Sequence, residues 1–294
     1  MRVNPNPYPD ILAAAAQTQQ QINTDEQEIS TGLSVNVPSD NPSAAAVLVQ
    51  NAGQTAQADQ FQRSIGSIQG EIQSADSTLQ TVTATLQQAI TLGVEGATGT
   101  VNGADRAAII TQLQGIQSQL VGLANLTYQG NYVFAGTATQ TAPYVLDPNS
   151  VSGVTYQGNT GVNTVTLGSQ FKLQTNVPGS QIFSGGGNVF QSIQNLIAGL
   201  QTNTGITTAV TDLGNALNYV DSQSVFYGNA LNQLNSQQNY LSSDTTQLAQ
   251  QQNTVAGANL PSVISNLTTA ETSLQATLSA VGQTAHTNLF EYLK

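Results

Sequence analysis

The chain has 294 residues, with 5 Lys+Arg against 16 Asp+Glu and a net charge of −11, so it lacks the clustered cations that nucleic acid or an anionic membrane surface requires. It contains no Cys and a single histidine, His286, which excludes disulfide frameworks, thiolate metal sites and paired-imidazole centres. Only 7% of residues are charged, and Gln, Asn, Ser and Thr supply the polarity instead, giving a solvated surface with little long-range steering.

The first ten residues, Met1 to Asp10, are polar and proline-rich. The apolar run behind them, Ile11 to Ala16, is too short for the apolar region of a cleaved secretory signal, and no stretch approaches the length of a membrane span. The expectation is a protein that does not insert in a membrane and leaves the cell, if it does, without a cleaved signal peptide.

A first helix is expected from Asp10 as N-cap to about Gly32, with the seam Ile11, Ala15, Thr18, Ile22, Asp25, Ile29. These steps of four and three keep one stripe facing a partner helix, but polar residues at two positions weaken it. Ser34 to Pro42 reads as an extended turn, because Pro38 and Pro42 both disfavour helix just before them. Ser43 is placed to cap a second helix that runs towards Leu92, and its seam is the clearest in the chain: Phe61, Ile65, Ile68, Ile72, Ala75, Leu79, Val82, Leu86, Ala89. Gly93, Gly96, Gly99 and Gly103 read as a loop, followed by a helix from Asp105 to about Gly130 with seam residues Ile109, Leu113, Ile116, Leu120 and Leu123. A short connection makes these two helices antiparallel neighbours.

From Asn131 the period changes. Tyr132–Phe134, Val154–Tyr156, Thr164–Leu167 and Phe171–Leu173 are short and rich in β-branched or aromatic residues, as strands are. Helical patterning returns at Asn188 with Val189, Ile193, Leu196, Ile197 and Leu200, then over about Thr207 to Ala256. In the second half of that stretch only Leu234, Leu241, Leu248 and Val255 are apolar along the seam, which is half a heptad. Gly257 and Pro261 interrupt the chain before a last helix, Pro261 to about Tyr292, with the seam Leu260, Ile264, Leu267, Leu274, Leu278, Val281, Ala285.

The fold class expected is mainly α with a small inserted β-rich domain: a long-helix bundle whose N- and C-terminal helices pair as a coiled coil. The boundaries read from the pattern are 1–43 for an N-terminal assembly helix and turn, 44–130 and 187–256 for two halves of the bundle, 131–186 for the β-rich insert and 257–294 for a C-terminal assembly helix.

Nothing in the chain assembles into a catalytic constellation, and no catalytic, cofactor or metal residue is assigned. His286 has no second imidazole or thiol to share a metal. Asp25, Glu26 and Glu28 lack the ligand spacing and central glycine of a calcium loop and read as a solvated helix face. Ser184 to Gly187 superficially resembles a phosphate loop, but no Lys-Ser or Lys-Thr follows, so it reads as a flexible join. Asn125-Leu-Thr and Asn266-Leu-Thr match the glycosylation pattern inside expected helices, where chance explains them. Tyr128, Tyr132 and Phe134 have no basic neighbours for base stacking and read as core at the helix-to-sheet junction.

The turn Ile29-Ser-Thr-Gly-Leu-Ser-Val-Asn-Val-Pro-Ser-Asp-Asn-Pro42 resembles the segment after the first helix in the bacterial flagellin superfamily, and its Pro38-Ser-Asp-Asn-Pro42 form is similar to that of the hook-associated protein 3 family. The likeness continues at Ala124-Asn125, Gly130-Asn-Tyr-Val-Phe-Ala-Gly-Thr137, Pro143-Tyr144, Tyr156-Gln-Gly-Asn159, Val177-Pro-Gly179 and Phe183, and ends with Asn288-Leu-Phe-Glu-Tyr-Leu293. Asn41 and Asn288 depart from the Asp and Ser common at those places.

The resemblance implies a structural, non-enzymatic axial subunit of the flagellum at the junction of hook and filament, exported through the flagellar type III apparatus. The implied partners are neighbouring copies of the chain, a hook-side hook-associated protein, filament flagellin and a cytoplasmic export chaperone. A short filament flagellin is the alternative. The expected assembly interface is Ile11, Ala15, Ile22, Ile29, Ile264, Leu267, Leu274, Leu278, Val281 and Leu289. Those seams are too thin for two helices to bury alone.

Overall fold

The computed structural model describes residues 8–99, 101–168 and 171–291, with side chains over the part of these that lies within 9–283. Helix α1 spans Tyr8–Thr31. It stops at Gly32, whose φ of +71° is the left-handed conformation that closes a helix, with its N–H on the Glu28 carbonyl at 2.8 Å. The turn that follows is organised by Asp40, one carboxylate oxygen of which accepts from the N–H groups of Asn36 at 3.0 Å and Val37 at 2.9 Å.

Helix α2 spans Pro42–Gly96, 55 residues and roughly 80 Å at 1.5 Å per residue. Its start differs from the expectation. Pro42 takes the first helical position, where a missing N–H costs nothing. The cap therefore moves back from Ser43 to Asn41, whose Oδ1 accepts from the Ala44 N–H at 3.1 Å and from the Ser43 hydroxyl at 2.8 Å. Its end differs too: α2 passes through Gly93, where a Cβ would collide with Val210 and press on Leu196, so that glycine serves close helix packing rather than a loop.

Helix α3, Gly103–Ala124, is capped by Asn102, whose side chain accepts from the N–H groups of Ala104 and Asp105. It ends well short of the expected Gly130. Asn125 turns its amide out to the main chain of Tyr144, donating to the carbonyl at 2.7 Å and accepting from the N–H at 2.8 Å. Both ends of this amide are engaged, which gives Asn125 a structural use.

The region from Thr127 to Gln174 holds three separate antiparallel hairpins: β1 (Thr127–Tyr128) with β2 (Asn131–Tyr132), β3 (Tyr144–Leu146) with β4 (Val154–Tyr156), and β5 (Thr164–Thr166) with β6 (Lys172–Gln174). Among the described residues no strand exceeds three residues. Phe134, expected on a strand, lies beyond β2 and is fully buried. A short helix that the pattern did not disclose, α4 (Gly179–Ser184), precedes α5 (Val189–Thr202). The Ser184–Gly187 join is not loose: a Cβ at Gly185 or Gly186 would strike the Tyr219 ring, and one at Gly187 the Ala216 backbone. Helices α6 (Ile206–Ala256) and α7 (Leu260–Glu291) complete the chain.

Two compact units result: Met1–Gln57 with Ser243–Lys294, and Ala58–Ser242, so α2 and α6 each contribute to both. In the second unit, Ile65, Ile72, Ala75, Leu79, Val82, Leu86 and Ala89 of α2 are completely removed from solvent. Gly96 lies beside Ile109 and Gly70 beside Tyr128, so α3 runs back along α2. Against these lie Ile193, Leu196 and Leu200 of α5 and Leu213, Val220 and Leu234 of α6 in one continuous core. The insert joins that core through an aromatic cluster in which the Tyr144 ring lies 5.0 Å from those of Tyr156 and Phe190 and 5.5 Å from Phe183.

Amide pairs join α2 to the half-heptad stretch of α6. Gln69 donates to Asn235 at 2.9 Å in the second unit, and Asn51 donates to Gln251 at 3.2 Å in the first. The first unit has a smaller apolar cluster of Val35, Ala44 and Ala256 beneath the turn.

Candidate assembly interface

In the first unit the stripe of α1 and a stripe of α7 meet, with the helices antiparallel. Ile11 lies near Thr277 and Ala280, and Thr18 near Ala270, so paired positions run in opposite senses. The chain enters and leaves this pair through two crossing main-chain bonds, Ser34 N–H to Ala256 O at 2.7 Å and Ala258 N–H to Gly32 O at 2.9 Å. These bonds set the helical register where the two segments meet.

The α1 seam read from spacing is the one turned inward. Ala15, Ile22 and Asp25 are buried, while Ile11, Thr18 and Ile29 are half-buried. Asp25 therefore departs from the solvated-face reading: at 3% exposure it sits in the seam. One carboxylate oxygen accepts from Gln21 at 2.9 Å, and the other has no hydrogen-bond partner. Spacing places Asp25 seven residues after Thr18 on the same stripe, and side-chain polarity does not alter the stripe on which a residue falls. Glu28, one turn on, has its pKa raised by partial burial and then by the charges of Asp25 and Asp40.

On α7 the inward stripe lies one residue away from the one the larger apolar residues suggest. Val263 is buried, and Leu267, Ala270, Leu274, Thr277 and Val281 are half-buried, again in steps of four and three. Ile264 and Leu278 are 52% and 54% exposed. The helix thus carries two adjoining stripes that share Leu267, Leu274 and Val281; α1 occupies the first, and Ile264 and Leu278 belong to the second. The small seam residues escaped the reading because Ala and Thr are weak hydrophobic signals. The seven-residue spacing of Val263, Ala270 and Thr277 was the signal that would have found them.

The ten residues expected at the interface are thereby distributed. Ile11, Ala15, Ile22 and Ile29 face α7; Leu267, Leu274 and Val281 lie between the two stripes; Ile264 and Leu278 face outward; the Leu289 side chain lies outside the described residues. On α1, Leu12 is also outward at 44% exposure.

The remaining surface of α7 is polar yet undemanding. Thr268, Thr269 and Thr272 each donate their hydroxyl to the carbonyl four residues back at 2.8 Å, leaving their methyl groups for contact. An arrangement of helical stripes, methyl groups and amides has the means to bind another helix. Among the described residues no three His, Cys, Asp or Glu side chains come together as a metal site, and no helix is long and apolar enough to cross a membrane. His286 and the end of the last seam, Ala285, have side chains outside the described residues.

Comparison with known proteins agrees with this architecture. Residues 7–139 match the family profile of the bacterial flagellin N-terminal helical region. The flagellar hook-associated protein 3 of Salmonella typhimurium (strain LT2) is 32% identical over 159 residues, covering 54% of this chain and 49% of that one. Its counterpart in Escherichia coli (strain K12) is 34% identical over 119 residues, covering 40% and 38% respectively. The matched part thus spans about half or less of the length of these curated relatives. Among solved structures, Bacillus cereus FlgL shares the fold, with a TM-score of 0.60 and 21% identity over 69% of this chain and 99% of that one.

Proposed function

We propose that the chain belongs to the flagellin superfamily, beside the hook-associated protein 3 sequences it resembles, and that it is a structural axial subunit of the bacterial flagellum that joins hook to filament by helical self-assembly of its terminal helices. The observation that carries the proposal is the second stripe of α7, which is open at Ile264 and Leu278 among the described residues. One side of the helix is taken by α1, and the exposed Ile264 and Leu278 offer a seam of the same period to a helix from a neighbour. Contacts between unlike surfaces of identical subunits, repeated with a rotation that does not close, build a helical array.

In this reading the assembly interface comprises Ile11, Ala15, Ile22, Ile29, Ile264, Leu267, Leu274, Leu278, Val281 and Leu289. The subunit meets neighbouring copies, a hook-side hook-associated protein and filament flagellin, and a chaperone holds it in the cytoplasm before export through the flagellar type III route without a cleaved signal. It performs no catalysis. The β-rich insert and the bundle form the part of the subunit that stays folded when the terminal seams are not engaged.

Deletion of the gene tests the role. Cells that retain hooks, lack filaments and shed flagellin into the medium are the expected result. Cells that keep full filaments contradict it, and purified protein that polymerises unaided into long filaments favours a short filament flagellin instead.

A further inference from the structure

A second polar site lies in the Ala58–Ser242 unit, where one face of α2 meets the β1–β2 hairpin. Ser67 and Glu71 from α2, Tyr128 and Gln129 from the hairpin, Thr139 and Asn163 line a recess of about 230 Å³. Gly70 makes it possible: a Cβ there would overlap the Tyr128 hydroxyl, so only glycine lets the hairpin come this close to the helix.

Two features distinguish this recess from ordinary polar surface. The Glu71 side chain is half-buried and, among the described residues, makes neither an ion pair nor a hydrogen bond. Burial raises its pKa, and its charge adds to the burial that raises the pKa of Tyr227 in the core behind it. Gln129 adopts φ of +48°, in the left-handed region that a side chain with a Cβ visits reluctantly, as the first of the two turn residues Gln129-Gly130. The side chains of Gln129, Asn163, Ser67 and Thr139 and the Tyr128 hydroxyl likewise form no hydrogen bond among the described residues. Half-buried polar groups are ordinarily matched; here Glu71, Tyr128, Thr139 and Asn163 are half-buried with their side chains unmatched among the described residues, and Ser67 and Gln129 stand exposed at the mouth. Only Asn131 at the rim is engaged, accepting from Gln140 at 2.6 Å.

We propose that this recess receives the guanidinium of an arginine side chain presented by a partner protein. The chemistry of the lining selects that group. A guanidinium carries one positive charge and five N–H donors with no acceptor. The recess offers one unmatched negative charge, two amide oxygens and three hydroxyl oxygens, all able to accept. A neutral saccharide would bring acceptors as well as donors and would leave the Glu71 charge uncompensated in a partly desolvated place, which is unfavourable. A lysine ammonium satisfies the charge but has three donors for more oxygens than it can reach. The chain itself has only 5 Lys+Arg, and Arg106 is already committed to the Val101 carbonyl at 2.8 Å. That scarcity favours a different protein as donor. The inference does not depend on the flagellar reading of the terminal helices.

The test is a titration of the full-length, isotope-labelled chain with N-acetyl-arginine-amide, followed by NMR, with N-acetyl-glutamine-amide and glucose as controls. The expected result is saturable shifts at Ser67, Glu71, Gln129 and Asn163 in the millimolar range with the arginine compound alone. E71Q should weaken binding roughly tenfold, the loss of one charge-assisted contact. Q129G supplies a second variant: it relieves the left-handed backbone, so the chain folds at least as well, and it should weaken binding about twofold. Absence of shifts with the arginine compound, equal affinity in Q129G and the parent, or equal response to glucose overturns the proposal.

Discussion

The second unit and the terminal pair are built on the same rhythm, apolar residues in alternating steps of four and three, yet they finish differently. In the second unit the α2 seam from Ile65 to Ala89 meets α3, α5 and α6, and most of its residues have no exposure at all. In the terminal pair α1 meets α7, so that Ile11, Ile29, Leu267, Leu274 and Val281 are only half-buried. A seam of given period says where a partner must lie. How many partners are present decides whether the seam is a core or an interface.

Substitutions that interrogate each side sharpen this contrast. The largest effect is expected in the bundle: L79A removes a side chain with 0% exposure and should cost about 2–5 kcal/mol, read as a fall in the urea midpoint. N125A should cost about 1–3 kcal/mol, because it leaves the Tyr144 N–H and carbonyl without their partner at the joint between α3 and the insert. D25L should change the terminal pair in the opposite direction. It replaces a buried carboxylate with one idle oxygen and should stabilise α1 on α7 by about 1 kcal/mol, seen as slower amide exchange over residues 11–29. The smallest effect on the free subunit is expected from I264D with L278D. Both positions are exposed, so stability should stay within about 0.5 kcal/mol while incorporation into the flagellum is lost. Unimpaired incorporation of that double variant breaks the comparison.

What the sequence disclosed follows the strength of each physical signal. The long seams of α1 and α2 were legible because large apolar residues repeat over many turns, and even Asp25 was placed correctly by spacing when its charge suggested otherwise. The inward stripe of α7 was read one residue away, since Ile264 and Leu278 outshine Ala270 and Thr277 in hydrophobicity although the smaller residues let α1 approach. The end of α3 was missed because Asn125 acts through Tyr144, nineteen positions on, and no local pattern records such a bond. Strands β1 and β3 were missed for the same reason: segments of two and three residues are defined by the partner they pair with, not by a period of their own. The glycines at 185–187 read as flexibility until Tyr219 and Ala216 were found against them.

The central claim is that the terminal seams are completed by neighbours. Hydrogen exchange compared between the free subunit and the assembled flagellum addresses it most directly. The account predicts rapid exchange over residues 11–29 and 263–281 in the free subunit, slow exchange over 65–89 and 109–124, and strong new protection of both terminal segments on assembly. Terminal segments as protected in the free subunit as the bundle, with no gain on assembly, would contradict it.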